Sequence, residues 1–140
     1  MNADVLHVSA SAGKPLWIAA ALECTPPEEL AALAEDVFRT SSNERTGDII
    51  DFVGIDAVND FLRRIGLRDS ALIRWRYGRE RRTTRAPERM GEDNYFTARD
   101  AVRFLSRLHD GSLFEDRART DALLHWMKLS PREGHCGWLG

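Results

Sequence analysis

Cysteine is almost missing from this 140-residue chain, which holds only Cys24 and Cys136. So far apart, they make no metal-type pair and read as free thiols of a reducing compartment, with one disulfide between them left open. The four histidines, His7, His109, His125 and His135, are scattered and read as surface or packing residues, so no metal and no organic cofactor is expected. Net charge is small at −2, which gives no overall field toward nucleic acid or a membrane surface. The N-terminus lacks the basic and long apolar regions of a signal peptide, and no apolar run reaches membrane-spanning length. With Met1 as the start, a cytoplasmic location is expected. Lysine is scarce too, at two residues, Lys14 and Lys128.

At 43% hydrophobic, the chain has enough apolar residues for one core. A single domain over residues 1–140 is expected, with no internal repeat, low-complexity tract or linker. The hydrophobic spacing is mainly helical and predicts a helical bundle, with short strands at most near the ends. After a strand-like opening at Val5–Val8 comes an apolar helix from about Lys14 to Glu23. Thr25-Pro26-Pro27-Glu28 reads as a capping box opening a helix with Leu30, Leu33, Ala34 and Val37 on one face. A third helix from about Glu44 ends near Gly54, and Val58, Phe61, Leu62 and Ile65 form a fourth, stopped by Gly66. Residues 67–96 lack periodicity and read as a long loop. Thr97-Ala98-Arg99-Asp100 is a second capping box, with Ala101, Phe104, Leu105 and Leu108 behind it and a stop at Gly111. A last helix from about Glu115 to Leu129 turns Leu123, Trp126 and Met127 inward.

Chemistry enters at Ser11-Ala12-Gly13-Lys14, at the mouth of the apolar helix. Residues three apart share a helix face. A lysine desolvated there has a lowered pKa, and its neutral amine can take the proton of a neighbouring hydroxyl, which makes Ser11 a nucleophile with Lys14 as its base. The helix start adds partial positive charge where an oxyanion would form. An N-cap serine followed by a lysine that reaches for water would give the same four letters, and at ordinary composition the spacing arises by chance in roughly one chain in ten. A second group, Ser41-Ser42-Asn43, falls between two helices. It can turn a hydroxyl and a carboxamide back toward the first helix, one to relay a proton and the other to hydrogen-bond a substrate amide, or it is an ordinary capped turn.

Residues 74–89 carry seven arginines against Glu80 and Glu88, about +5, while the rest of the chain is about −7. Three readings fit: an anionic substrate or acidic partner, a loop paired with acidic helices, or, with Trp75 and Tyr77 interleaved, a nucleic-acid contact. The second is preferred, and nucleic acid is not expected as a partner.

Taken in order, these elements resemble the penicillin-recognising serine hydrolases, the superfamily of class A β-lactamases and DD-peptidases. Ser11-Ala12-Gly13-Lys14 with Ile18–Leu22 is similar to its nucleophile helix, and Ser41-Ser42-Asn43 to its S-D-N loop with Ser42 in place of aspartate. Val58–Leu67, Phe96–Asp100 with Asp110-Gly111, and Leu123–Met127 resemble helices that follow. The resemblance implies the all-α domain of that fold. It also implies acyl transfer at an amide or ester carbonyl of a small molecule or peptide, with Ser11, Lys14 and Ser41 catalytic and Asn43 binding substrate. The K-T-G motif has only His135-Cys136-Gly137 as a degenerate counterpart, with His135 as the substrate-binding residue. Arg74-Trp75 aligns Arg76 with the glutamate that activates the deacylating water in class A members, leaving Glu80 the nearest acid. The interval between the first two motifs is short, and most of the α/β half of the fold is not matched. Slow or incomplete turnover follows, as does self-association or a partner over the open site face. A noncatalytic binding or scaffold domain is the alternative.

Overall fold

Helix α1 (Lys14–Cys24) is apolar on every side because it is the axis of the bundle: Trp17, Ile18, Ala19, Ala21 and Leu22 have no exposed surface. Fully covering side chains of this size is worth about 1.5–3 kcal/mol each for the larger ones. The computed structural model describes residues 2–76, 80–85 and 90–130. Around α1 stand α2 (Pro27–Thr40), α3 (Asn43–Val53), α4 (Ile55–Arg64), α5 (Ala98–Asp110) and α6 (Arg117–Met127), with α2, α3, α4 and α6 in direct contact with it. The expected mainly helical bundle is what forms. No helix among the described residues is long and apolar enough to cross a membrane.

The helix ends follow local chemistry, with one correction. Ser42 caps α3 by accepting from the Arg45 N–H (3.1 Å), Thr97 caps α5 by accepting from the Asp100 N–H (3.2 Å), and Asp116 caps α6 by accepting from the Ala118 N–H (2.9 Å). The expected capping box at Thr25 is not formed. Thr25 instead closes α1, its N–H bonded to Ala21 O, and Pro26 stands at the N-cap of α2 without a side-chain bond. Two prolines at a helix start remove N–H groups that would have lacked partners, so a capping side chain has less to do. Gly54 joins α3 to α4 with φ at +90°, a backbone that a side chain would strain. At the other end of α1, Arg119 on α6 donates to Leu22 O (2.6 Å) and covers a last-turn carbonyl.

Residues 67–96 are not the plain loop their composition suggests. Leu67, Leu72, Ile73, Trp75 and Met90 are buried, and three short strands, β2 (Arg74–Trp75), β3 (Arg81–Arg82) and β4 (Tyr95–Phe96), hold the segment together. β2 pairs antiparallel with β3, and β4 pairs antiparallel with β1 (His7–Val8), His7 opposite Phe96. Asn59 of α4, itself buried, bonds both backbone groups of Leu72, its Nδ2 donating to the carbonyl and its Oδ1 accepting from the N–H, each at 2.9 Å. Asp100 does not reach back to its own cap. Its Oδ2 accepts from the Asp69 N–H and the Ser70 hydroxyl, both at 2.9 Å, while burial raises its pKa. Leu105, expected inward, is 43% exposed on α5, and Val102 on the same helix and Phe52 on α3 are more exposed still.

Among the described residues, four of the five arginines of residues 74–89 pair with acids, in line with the reading preferred from the sequence. Arg81 meets Asp51 of α3, Arg85 grips both oxygens of Asp60 of α4 at 2.9 Å, and Arg82 bridges Glu80 and Glu92.

Candidate functional site

The turn that carries Ser11 is built by the β1–β4 pairing. Ser9 N–H donates to Asn94 O (2.7 Å) just beyond the paired strands, and the chain then makes a single 3₁₀ turn, Ala10–Gly13, that runs straight into α1. Ala10, immediately before Ser11, sits at φ +42°, a strained conformation for a residue with a side chain. Gly13 is required by space: a Cβ there would lie 2.4 Å from the Trp17 ring and 2.9 Å from the Ser9 hydroxyl. With Gly13 packed on Trp17, Ser11 stays exposed on the outer side of the turn while Lys14 turns inward and is 2% exposed.

Lys14 and Ser11 are joined through a third residue. Lys14 Nζ donates to Ser41 Oγ (2.9 Å) and to Ser41 O (2.5 Å), and Ser41 Oγ in turn donates to Ser11 Oγ (3.3 Å). No direct hydrogen bond joins Lys14 to Ser11 among the described residues. Thus the shared helix face expected from the i, i+3 spacing becomes a turn in which the two side chains diverge and meet again at Ser41. Ser41 closes α2 in the left-handed region, at φ +57° and ψ +33°, with its N–H on Val37 O. That backbone lets its carbonyl and its hydroxyl both face the lysine. Burial lowers the Lys14 amine from 10.5 to about 8, in the direction expected from its place at the apolar helix.

Asn43, the first residue of α3, is brought beside Ser11, and both line an open cleft of about 500 Å³ with Val8, Arg74, Trp75, Arg76 and Asn94. Trp75 is fastened to this wall by its indole N–H, which donates to Asn43 O (3.2 Å). Arg74 is held between Glu92 (3.5 Å) and Asp93 (3.6 Å). Four of the five expected site residues, Ser11, Lys14, Ser41 and Asn43, therefore come together; His135 lies outside the described residues, as does Cys136. Among the described residues no group of three histidines, cysteines or carboxylates could hold a metal ion.

Two contributors carry no periodic signal in the sequence. Asn94 accepts through Oδ1 from the Ile73 and Arg74 N–H groups (2.8 and 3.0 Å), so it pins β2 and the Ser9 turn at once. Arg76, beside Trp75, brings an exposed guanidinium to the cleft.

Residues 22–132 match the family described as the β-lactamase enzyme family. The fold is similar to that of a β-lactamase from Sphaerobacter thermophilus (TM-score 0.75, 23% identity), covering 93% of this chain and 58% of that one. It is likewise similar to a β-lactamase from Desulfarculus baarsii (TM-score 0.69, 21% identity, 93% and 58% covered). An ancestral class A β-lactamase gives a TM-score of 0.71 at 20% identity, with 94% and 60% covered. The chain thus spans less than two thirds of the length of these structures. No curated protein matches it.

Proposed function

The chain belongs to the β-lactamase enzyme family, and on that premise we propose that it is a β-lactamase-like serine hydrolase whose Ser11 accepts the acyl group of an amide or ester. The observation that carries the reading is the hydrogen-bonded line from Lys14 Nζ through Ser41 Oγ to Ser11 Oγ. In the resting form the protonated amine donates along it. Once Lys14 is neutral the line can reverse: Ser11 gives its proton to Ser41 as its oxygen attacks the carbonyl carbon, Ser41 gives its own to the amine, and the proton then returns from Lys14 through Ser41 to the leaving nitrogen or oxygen as the tetrahedral centre collapses and its bond to the carbonyl carbon breaks. Asn43, on the same wall, is the candidate anchor for the amide of a substrate.

Deacylation is the weak step in this reading. Arg76 stands at the position that the family resemblance gives to a glutamate, and a guanidinium cannot serve as a base because it does not lose its proton near neutral pH. A long-lived acyl adduct is therefore expected, formed in a burst without sustained hydrolysis.

Intact-mass spectrometry after exposure to a fluorescent penicillin or an activated ester tests this. One acyl group is expected on Ser11 of the native chain and none on Ser11→Ala or Lys14→Ala. Equal labelling of Ser11→Ala, or no adduct at millimolar probe, refutes the hydrolase reading and leaves a noncatalytic binding domain.

A further inference from the structure

Building on the reading of Ser11 as acyl acceptor, we infer that Arg76 sets substrate choice: the cleft prefers acyl donors whose acyl side ends in a carboxylate. Among the described residues the cleft wall contains two arginines and one acid. Arg74 is mostly covered and lies between Glu92 and Asp93, so Asp93, the acid of the wall, is already matched by a cation. Arg76 is different. It is exposed and makes no ion pair within 4.0 Å among the described residues. The Arg82 hydrogen bond at 3.0 Å is the main reason the Glu80 carboxyl lies below its usual pKa, and the charge of Arg76 adds to it without an ion pair.

The backbone that presents Arg76 is fixed. Trp75 pairs with Arg81 across β2 and β3 and is tied through its indole to Asn43 O, so the next residue emerges from an anchored point. Ser11 and Asn43 are uncharged at neutral pH, Asp93 is paired and the Lys14 amine is buried behind Ser41, which leaves the Arg76 guanidinium, among the described residues, as the exposed cation of the cleft without an ion pair. A guanidinium fork matches a carboxylate with two parallel hydrogen bonds, and the cleft is of ordinary small-molecule size at about 500 Å³. An acyl donor with a terminal ammonium would meet repulsion at the same place.

The test compares mono-p-nitrophenyl adipate with its methyl ester, which differ in charge at one end only, by the rate of mass labelling at Ser11. The native chain is expected to favour the free acid by about tenfold, the scale of one charged hydrogen bond. The preference should shrink as salt is raised, vanish in Arg76→Gln and invert toward an amine-terminated ester in Arg76→Glu. Equal rates for the two esters in the native chain, or a preference that survives Arg76→Gln, overturns the inference while leaving the hydrolase reading intact. If neither ester labels Ser11, the hydrolase reading fails, and adipate titrated into Ser11→Ala decides the anion preference separately. Shifts of the Trp75 indole and Asn43 resonances that disappear with Arg76→Gln support it, and no shifts overturn it.

Discussion

Replacing Lys14 by methionine keeps the length of the side chain and removes its charge, and the consequence for stability is read in its pH dependence. The absolute change mixes two opposed effects: Ser41 O loses its donor, while a buried ammonium is no longer kept from water. The slope isolates the second. In the folded chain burial holds the Lys14 pKa at about 8, below the unfolded value of 10.5. Below pH 8 both states carry the proton and the slope is flat. Between the two values the unfolded chain binds more protons, so the contribution of Lys14 to stability rises with pH. From pH 7 to 9 the native chain should gain about 1 kcal/mol relative to Lys14→Met, read by urea unfolding of both chains at each pH. The acylation rate should show the matching limb: with the neutral amine as the final acceptor it climbs about tenfold per pH unit up to pH 8 and then levels. Unfolding curves that stay parallel from pH 7 to 9, or acylation independent of pH from 6 to 8, would refute a desolvated, proton-accepting Lys14.

Most of the helical frame was legible because burial imposes a period on sequence. Leu30, Ala34 and Val37 on α2, Val58, Phe61 and Leu62 on α4, and Leu123, Trp126 and Met127 on α6 are buried where spacing placed them. The central helix was legible for the opposite reason: α1 has no polar face because it has no outer face. Spacing failed where backbone contacts, rather than a repeated side-chain face, make the structure. Residues 67–96 bury Leu72 and Ile73 just ahead of a strand and Trp75 within it, a strand of two residues too short to show alternation, and their order rests on single polar groups such as Asn59 and Asn94. Leu105 was placed inward by helical phase and is exposed; α5 buries only Phe104, Leu108 and Asp100.

The candidate site was legible as a set of residues but not as a geometry. The spacing from Ser11 to Lys14 implied direct contact, whereas the 3₁₀ turn and the covered ammonium place Ser41 between them. That linkage depends on one left-handed residue at the end of α2, and nothing in Ser41-Ser42-Asn43 itself marks Ser41 as left-handed. The charge of the arginine segment, by contrast, could be read by simple count, because ion pairing with the acids of α3 and α4 requires only that the two sets be brought close.

Asn59→Ala should destabilise the fold by about 2–4 kcal/mol in urea unfolding, since both backbone groups of Leu72 lose buried partners; a loss under 0.5 kcal/mol would show that water replaces the carboxamide. Gly13→Ala should cost about 1–3 kcal/mol through collision with the Trp17 ring and should slow Ser11 labelling, and unchanged stability and labelling would contradict the tight turn. Ser41 permits the sharpest separation of strain from chemistry. A side chain in the left-handed region costs about 1 kcal/mol, so Ser41→Gly should be about 1 kcal/mol more stable than Ser41→Ala. Both substitutions remove the hydroxyl through which Lys14 reaches Ser11, and both should slow acylation by about 10²-fold or more, the usual contribution of a positioned proton-transfer group. Stability and labelling should therefore part company across the pair, glycine raising the first without restoring the second. If Ser41→Gly acylates at the native rate, Lys14 takes the proton from Ser11 without Ser41, and the relay is wrong.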